Sequence, residues 1–280
     1  MVKRTFQAKG LTYASELALR NVLDFERIID WNISRNILLF RMSSDMFPWM
    51  SEYEFSDIAT YRDIRDVLSN VGAKVAKAGA RLTFHPGPFN VLASTNPTVV
   101  TNTLKELSQH AEIMDMLDLP QTPFAKINIH VGGAYGNKAE AMMRFSDNFS
   151  RLPDSAKSRL TIENDDKASM FSVSDLLTLH EHTGIPIVFD YLHHNFWTGG
   201  LTEEEAFRSA ARTWPKGIVP VVHYSSSKKQ FEDPGAVQAA HADYVYSRIE
   251  SYNTQVDVML EAKAKEHALE KYLQEFGPAN

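Results

Sequence analysis

There is no cysteine anywhere in this chain of 280 residues. That excludes a disulfide framework and any thiolate metal site, so a bound metal would rest on nitrogen and oxygen ligands. No apolar run approaches the roughly 20 residues that a helix needs to span a bilayer. The opening Met1-Val2-Lys3-Arg4 is not followed by the apolar core of a signal peptide, and a soluble intracellular protein with no membrane partner is expected. A surplus of positive charge is missing too. The formal net charge is −6, a mild argument against general nucleic-acid binding, because such proteins are usually basic. Carboxylates grouped around metal ions soften that argument, since bound cations cancel their charge. Lys216, Lys228, Lys229, Lys263 and Lys265 read as solvated surface. No linker rich in Gly, Ser or Pro, no repeat and no low-complexity tract interrupts the chain, so one domain over residues 1–280 is expected.

What is present is a series of seven short apolar runs, each ending in or just after a polar residue: Ile37–Ser44, Arg81–His85, Ala125–His130, Arg159–Glu163, Pro186–Asp190, Val219–His223 and Val256–Glu261. Helix-like stretches separate them. Residues 12–35, 57–80, 97–117, 139–152, 172–183, 203–214 and 240–251 carry apolar positions at helical spacing. Ser172-Val-Ser-Asp175 has the form of a capping box with Asp for Glu, and Gly184-Ile-Pro186 hands that helix over to a strand. Alternating strands and helices predict an α/β fold with a parallel sheet, a TIM-barrel-like (β/α) barrel. A closed barrel wants eight strands. The first would precede residue 12, where Arg4–Ala8 is a poor strand, so either the first strand is missing or irregular or the native N-terminus is longer.

Six of the seven runs end in a residue able to bind a metal: His85, His130, Glu163, Asp190, His223 and Glu261. In a parallel barrel the C-terminal strand ends share one mouth, where chemistry is placed. One such residue has a ready structural explanation, such as a turn cap or a paired carboxylate. Six at the same place in successive strands do not. His193 and His194 follow Asp190 closely, and only one of the pair need be a ligand. His241 is expected to open a helix, with surface and ligand roles evenly matched. His110, His180, His182 and His267 fall in helical stretches and are expected at the surface or at helix ends. An all-N/O set of this kind suits Zn²⁺ or Mn²⁺, and more than four candidates suggests more than one ion. Multi-metal sites clamp a phosphate and activate water for in-line attack, which favours phosphodiester hydrolysis over sugar isomerisation here.

Six motifs then carry a family resemblance: Ser43-Ser-Asp-Met-Phe-Pro48, Phe84-His-Pro-Gly87, Ile129-His-Val-Gly-Gly133, Ile162-Glu-Asn-Asp-Asp166, Phe189-Asp-Tyr-Leu-His-His194 and Leu260-Glu-Ala-Lys-Ala-Lys-Glu266. In this order, from about residue 15 to the end, the chain resembles the UV damage endonucleases, eukaryotic and fungal-type members above all. That family is similar to the apurinic endonucleases of the xylose-isomerase-like barrels. The resemblance implies a DNA repair endonuclease that nicks damaged double-stranded DNA 5′ to ultraviolet photoproducts and other lesions, in the nucleus if the source is eukaryotic. It also implies up to three Mn²⁺ or Zn²⁺ ions. Glu163 would bridge two of them, with His85 and His130 on one and Asp190, His223 and Glu261 on the other; His193 and His241 would hold the third.

The departures from the family pattern fall mainly in the lesion reader. The family reads His-Pro-Gly-Gln-Tyr where this chain has His85-Pro-Gly-Pro-Phe89. Phe89 keeps a π face for stacking, whereas Pro88 lacks the hydrogen-bonding side chain of Gln. A family His near the metals is replaced by Glu52, and a Lys two residues before the seventh-strand His by Val221. Two alternatives therefore stand beside the endonuclease reading. One is a related barrel metalloenzyme acting on a small phosphate or sugar-like molecule; the other is an inactive homologue that binds DNA or protein.

Overall fold

Glycine at position 10 sets the first break in the chain. Helix α1 (Lys3–Ser34) is two helical pieces joined at Gly10, whose φ of 68° is one that glycine adopts without steric cost. The segment where a first strand was sought is thus helical, and among the described residues no strand precedes Leu39. The computed structural model describes residues 1–278. After α1 come β1 (Leu39–Arg41), α2 (Tyr61–Ala78), β2 (Arg81–Thr83), α3 (Pro97–Met116), β3 (Ile127–Ile129), α4 (Lys138–Ser150), the short α5 (Asp154–Lys157) and β4 (Leu160–Glu163). They are followed by α6 (Val173–Thr183), β5 (Ile187–Asp190), α7 (Tyr191–Phe196), α8 (Glu203–Arg212), β6 (Val221–Tyr224), α9 (Lys228–Phe231), β7 (Asp257–Leu260) and α10 (Glu266–Phe276). Each of the seven apolar runs overlaps one strand, and every strand pair described is parallel. The chain divides into two compact units, one of Met1–Ile129 with Asp147–Leu160, the other of His130–Ser146 with the chain from Thr161 on.

In the first unit β1 and β2 pair with Leu39 opposite Arg81 and Arg41 opposite Thr83, and Phe84 bridges to Ile127. Helix α1 buries Ala14, Ala18, Val22, Phe25 and Ile29, and α2 buries Ile64, Leu68, Val71 and Val75, both at helical spacing. Gly72 of α2 lies against the chain just after α3: a Cβ there would stand 1.9 Å from the Leu117 carbonyl oxygen. Arg159 is fully buried, yet its guanidinium donates to the carbonyls of Leu119 and Pro120 and to the Asp115 carboxylate. Those partners offset the cost of its burial.

In the second unit β4 to β7 run side by side. Ile187 of β5 faces Ile162, Asp190 faces His223, and His223 faces Met259. The sequence-predicted capping box closes the start of α6, with Ser172 and Asp175 each serving the other's backbone N–H. Thr202 and Glu205 do the same at α8.

The predicted helix over 240–251 is not present. His241 instead forms an isolated bridge with Ser227, and bends and irregular chain follow. Polar side chains take the backbone donors a helix would use: the Glu232 carboxylate accepts from the N–H of Asp243, and Ser226 Oγ from that of Tyr246. Among the described residues no helix is long and apolar enough to cross a membrane.

Candidate metal centre

The register of the second unit fixes which side chains share a face. Glu163 is opposite Val188, and Asp190 lies two residues past Val188, on the same side of the sheet. Asp190 is opposite His223; Glu261 lies two past Met259, the partner of His223. Glu163, Asp190, His223 and Glu261 therefore fall on one face at successive strand ends. Distances agree. His223 Nδ1 is 2.9 Å from Glu163 Oε2 and 3.2 Å from Glu261 Oε1. Glu163, Asp190 and His223 are buried, and each offers a ligand atom within 4.8 Å of the others.

Three more imidazoles border this cluster. His130, directly after β3, puts Nε2 3.9 Å from Glu163 Oε1. His193, on the first turn of α7, has Nδ1 3.4 Å from the same oxygen. His241 Nδ1 stands 3.7 Å from Glu261 Oε2. Two residues that sequence reasoning did not single out hold these groups in place. Asn164 clamps Asp190: its Oδ1 accepts from the Asp190 N–H at 2.8 Å and its Nδ2 donates to the Asp190 carbonyl at 3.0 Å. The Asn164 carbonyl also accepts from His193 Nδ1 at 2.9 Å, which keeps a proton on Nδ1 so that the neutral ring carries its lone pair on Nε2. Asp165 Oδ1 lies 3.0 Å from His130 Nδ1. A carboxylate or carbonyl behind a histidine is the usual support of a metal ligand. The only sequence signal for either residue is its place in the Ile162-Glu-Asn-Asp-Asp166 motif.

The electrostatics fit a cation. Burial pushes the Asp190 carboxyl up to about 7, helped by the Glu163 and Glu261 charges and opposed by His193. Asp190 Oδ1 accepts from the His193 backbone N–H at 2.7 Å, while Oδ2 is buried with no hydrogen-bond partner. Burial alone would drain charge from His130 and His193. Glu163 and Asp165 outweigh it at His130 and raise that imidazole to about 9; Asp190 and Glu163 raise His193 to about 11. Burial would lift Glu163, but His223 and His130 hold it well below its usual range. Without a metal, then, protons take the place of cations among these carboxylates. An orphaned carboxylate oxygen, buried acids and backed imidazoles together make a donor set suited to a divalent cation.

His85 belongs to the first unit, just after β2, with Nδ1 3.3 Å from the Pro86 carbonyl oxygen. Pro88 and Phe89 follow it, and Phe89 is 86% exposed. Asn90 pins this loop, donating to the Gly87 carbonyl and, at 2.8 Å, to Glu106 of α3. Glu52 is exposed in a 3₁₀ turn, and Val221 is buried in β6 two residues before His223. Among the helical histidines, His110 is not at the surface: it is fully buried, edge-on to Phe84, with Nδ1 donating to the Glu106 carbonyl.

Residues 2–278 match the family model described as UV-endonuclease UvdE. The chain belongs to that family. It is similar to the UV-damage endonuclease of Schizosaccharomyces pombe, 36% identical over 273 residues, which cover 95% of this chain but 45% of the yeast protein. It is 35% identical over 265 residues to a UV DNA damage endonuclease of Bacillus cereus, covering 89% of this chain and 78% of that one. The chain thus spans less than half the length of its fission-yeast relative. Among solved structures, that of SacUVDE superposes with a TM-score of 0.83 at 32% identity over 95% of this chain and 90% of that one. The fold of this UvdE-family chain is α/β and TIM-barrel-like, as the strand order implied.

Proposed function

We propose that this chain is a metal-dependent endonuclease that nicks damaged double-stranded DNA on the 5′ side of ultraviolet photoproducts and other lesions. One observation carries the reading: Glu163, Asp190 and His223, buried together at adjoining strand ends, form a divalent-cation donor set in a chain that belongs to the UvdE family. The proposed ligands are His85, His130, Glu163, Asp190, His193, His223, His241 and Glu261, for up to three Mn²⁺ or Zn²⁺ ions. His85 enters the set through its strand-end position and its motif. The single-domain reading of residues 1–280 belongs to the same proposal, since the family model runs through both units. So does an intracellular site of action, the nucleus in a eukaryote.

When bound, the ions supply Lewis-acid charge at the phosphate and lower the pKa of water. The chain's own residues orient and desolvate. Asn164 sets the tautomer of His193 and the position of Asp190, Asp165 aims His130, and the apolar strand positions behind them keep the site dry. Phe89, exposed at the loop tip, is proposed to enter the base stack at the lesion, with Pro88 beside it.

The test is a duplex carrying one defined photoproduct, incubated with the protein and Mn²⁺. A nick on the 5′ side that leaves a 3′-hydroxyl is expected, and chelation should abolish it reversibly. The second reading keeps the metal chemistry and changes the substrate to a small phosphate ester, and it is favoured by the missing hydrogen-bonding side chain at Pro88. Hydrolysis of a small phosphodiester without any nicking of the damaged duplex would select it.

A further inference from the structure

The tip of the loop after β2 is a hydrogen-bonded turn. The Gly87 carbonyl accepts from the Asn90 N–H at 3.0 Å, so residues 87–90 close a β-turn with Pro88 and Phe89 at its centre. Phe89 is not a positive-φ residue and no peptide bond is cis, which excludes the type II and cis-proline forms. The type I pattern fits. Proline is favoured at its second position because the ring fixes φ at about −65°. Pro88 therefore imposes on the free chain a geometry into which other residues must be ordered.

The turn is tied to the first unit from behind. Asn90 Nδ2 donates to the Glu106 carboxylate at 2.8 Å and to the Gly87 carbonyl at 3.3 Å. One residue on, the Val91 N–H donates to Thr103 Oγ1 at 3.2 Å, and the Leu92 carbonyl accepts from Asn148 Nδ2 at 2.8 Å. Thr103 and Glu106 stand about one turn apart on α3. Asn90 is 6% exposed and Phe89 86%, so burial stops abruptly at the ring. An aromatic ring left in water adds no burial energy to the fold. The anchoring serves the position of that ring instead.

We propose that Pro88, Asn90, Thr103 and Glu106 are positioning residues that hold Phe89 in its binding pose before any substrate arrives. The inference rests on the reading of Phe89 as the residue that enters the base stack. Ordering a loop on binding subtracts from affinity, and a loop already ordered spares that loss. Pro88 is then more than a missing hydrogen-bonding side chain. It exchanges contacts for a fixed presentation of its neighbour.

Two measurements separate pose from binding. The chain has no cysteine, so Phe89→Cys gives a unique site for a nitroxide, whose electron paramagnetic resonance line shape reports motion of the turn without any substrate. A restricted nitroxide is expected on the otherwise wild-type chain. Glu106→Ala, Asn90→Ala or Pro88→Gly should each free it. Glu106→Gln, whose amide oxygen still accepts from Asn90, should leave it restricted. The second measurement keeps Phe89 and follows fluorescence anisotropy with a photoproduct duplex and its undamaged counterpart. Glu106→Ala is expected to lower the preference for the damaged duplex by about three- to tenfold, the scale of re-ordering one loose side chain on binding. Glu106→Gln should keep the wild-type preference. In a Phe89→Ala background Glu106→Ala should have no further effect, because the clamp acts only through the ring. Thermal melting confirms that each variant is folded. A nitroxide equally restricted in the wild-type and Glu106→Ala backgrounds would overturn the proposal. So would a loss of preference of the same size with and without Phe89. Nicking of the photoproduct duplex by the wild type is scored separately. Its absence would count against the endonuclease reading, while the nitroxide still decides whether the turn is held.

Discussion

Asn164 controls more of the candidate centre than its neutral side chain suggests. Three of its hydrogen bonds reach Asp190 and His193, and none of its atoms carries charge. Asn164→Ala is expected to leave the ligand set complete but loosen it, lowering Mn²⁺ affinity or nicking by roughly 10–100-fold, the usual cost of losing an outer support. Mn²⁺ titration of nicking checks this, and unchanged affinity together with an unchanged rate would refute it. Glu163→Gln removes a charge at the centre of the cluster. It should abolish metal-dependent cleavage with little harm to folding, which circular dichroism would establish. His110 makes a different point. Burial lowers it to about 4, although its bond to the Glu106 carbonyl works the other way. The folded state therefore holds it neutral, while the unfolded chain titrates near 6.5. Its contribution is complete above 6.5 and is lost as the pH falls toward 4. Each pKa unit is about 1.4 kcal/mol, so this single group costs the fold roughly 3 kcal/mol in acid. Urea unfolding at pH 7 and pH 4.5 should show a smaller pH penalty for His110→Gln than for the wild type.

At the scale of elements, Gly72 and Phe89 mark opposite demands on helix α2 and on the loop after β2. Gly72 permits close approach to the Leu117 carbonyl; Gly72→Ala drives a methyl into backbone that cannot swing aside. Overpacking of this kind costs about 1–3 kcal/mol, so a lower melting temperature is expected. Phe89 contributes nothing to packing at 86% exposure, and Phe89→Ala should leave stability intact. The same change should weaken binding to damaged duplex about tenfold or more, given roughly 1–3 kcal/mol per stacked base, while hydrolysis of a small phosphodiester is unchanged. If damaged-duplex binding is untouched, the lesion-reading role is wrong. Strands were the most legible elements in the sequence, because buried parallel strands read as apolar runs with a polar residue where they end. The ligand-type residues at those ends were legible for the same reason. Helix α7 was not: it starts directly at Asp190, which is at once the last residue of β5 and the cap of α7. Residues 240–251 have helical spacing, but Ser226 and Glu232, far back in the chain, capture their backbone, and no local pattern reports that. His110 misled in the other direction. It shares a helix face with Leu107, Ala111 and Met114, and its polarity suggested surface.

For the molecule as a whole, the buried cluster makes stability depend on pH and, under the proposed function, on metal as well. Asp190 is raised to about 7, His130 to about 9 and His193 to about 11. A group whose folded pKa is raised gives stability that is full below its unfolded value and lost as the pH climbs through the folded one. All three have that sign: without a metal, the Asp190 contribution is lost as the pH rises from about 3.8 to about 7, and those of His130 and His193 as it rises from about 6.5 toward about 9 and about 11, each group shedding its proton. Glu163, held low by His223 and His130, has the opposite sign, and its contribution fades only in acid. A divalent cation replaces the lost protons, and it competes with them below pH 7, where Asp190 is protonated. Mn²⁺ should therefore raise the melting temperature more at pH 8.5 than at pH 5.5. At a hundredfold excess over its dissociation constant a ligand adds about 2.7 kcal/mol, which for a chain of this size is roughly 5 °C or more. Differential scanning calorimetry with and without chelator, at both pH values and on wild type and Asp190→Asn, provides the measurement. Replacing Asp190 removes the orphaned oxygen and should shrink the Mn²⁺ shift at the higher pH. A shift of equal size at both pH values, or one that survives Asp190→Asn in full, would mean that the cation binds elsewhere.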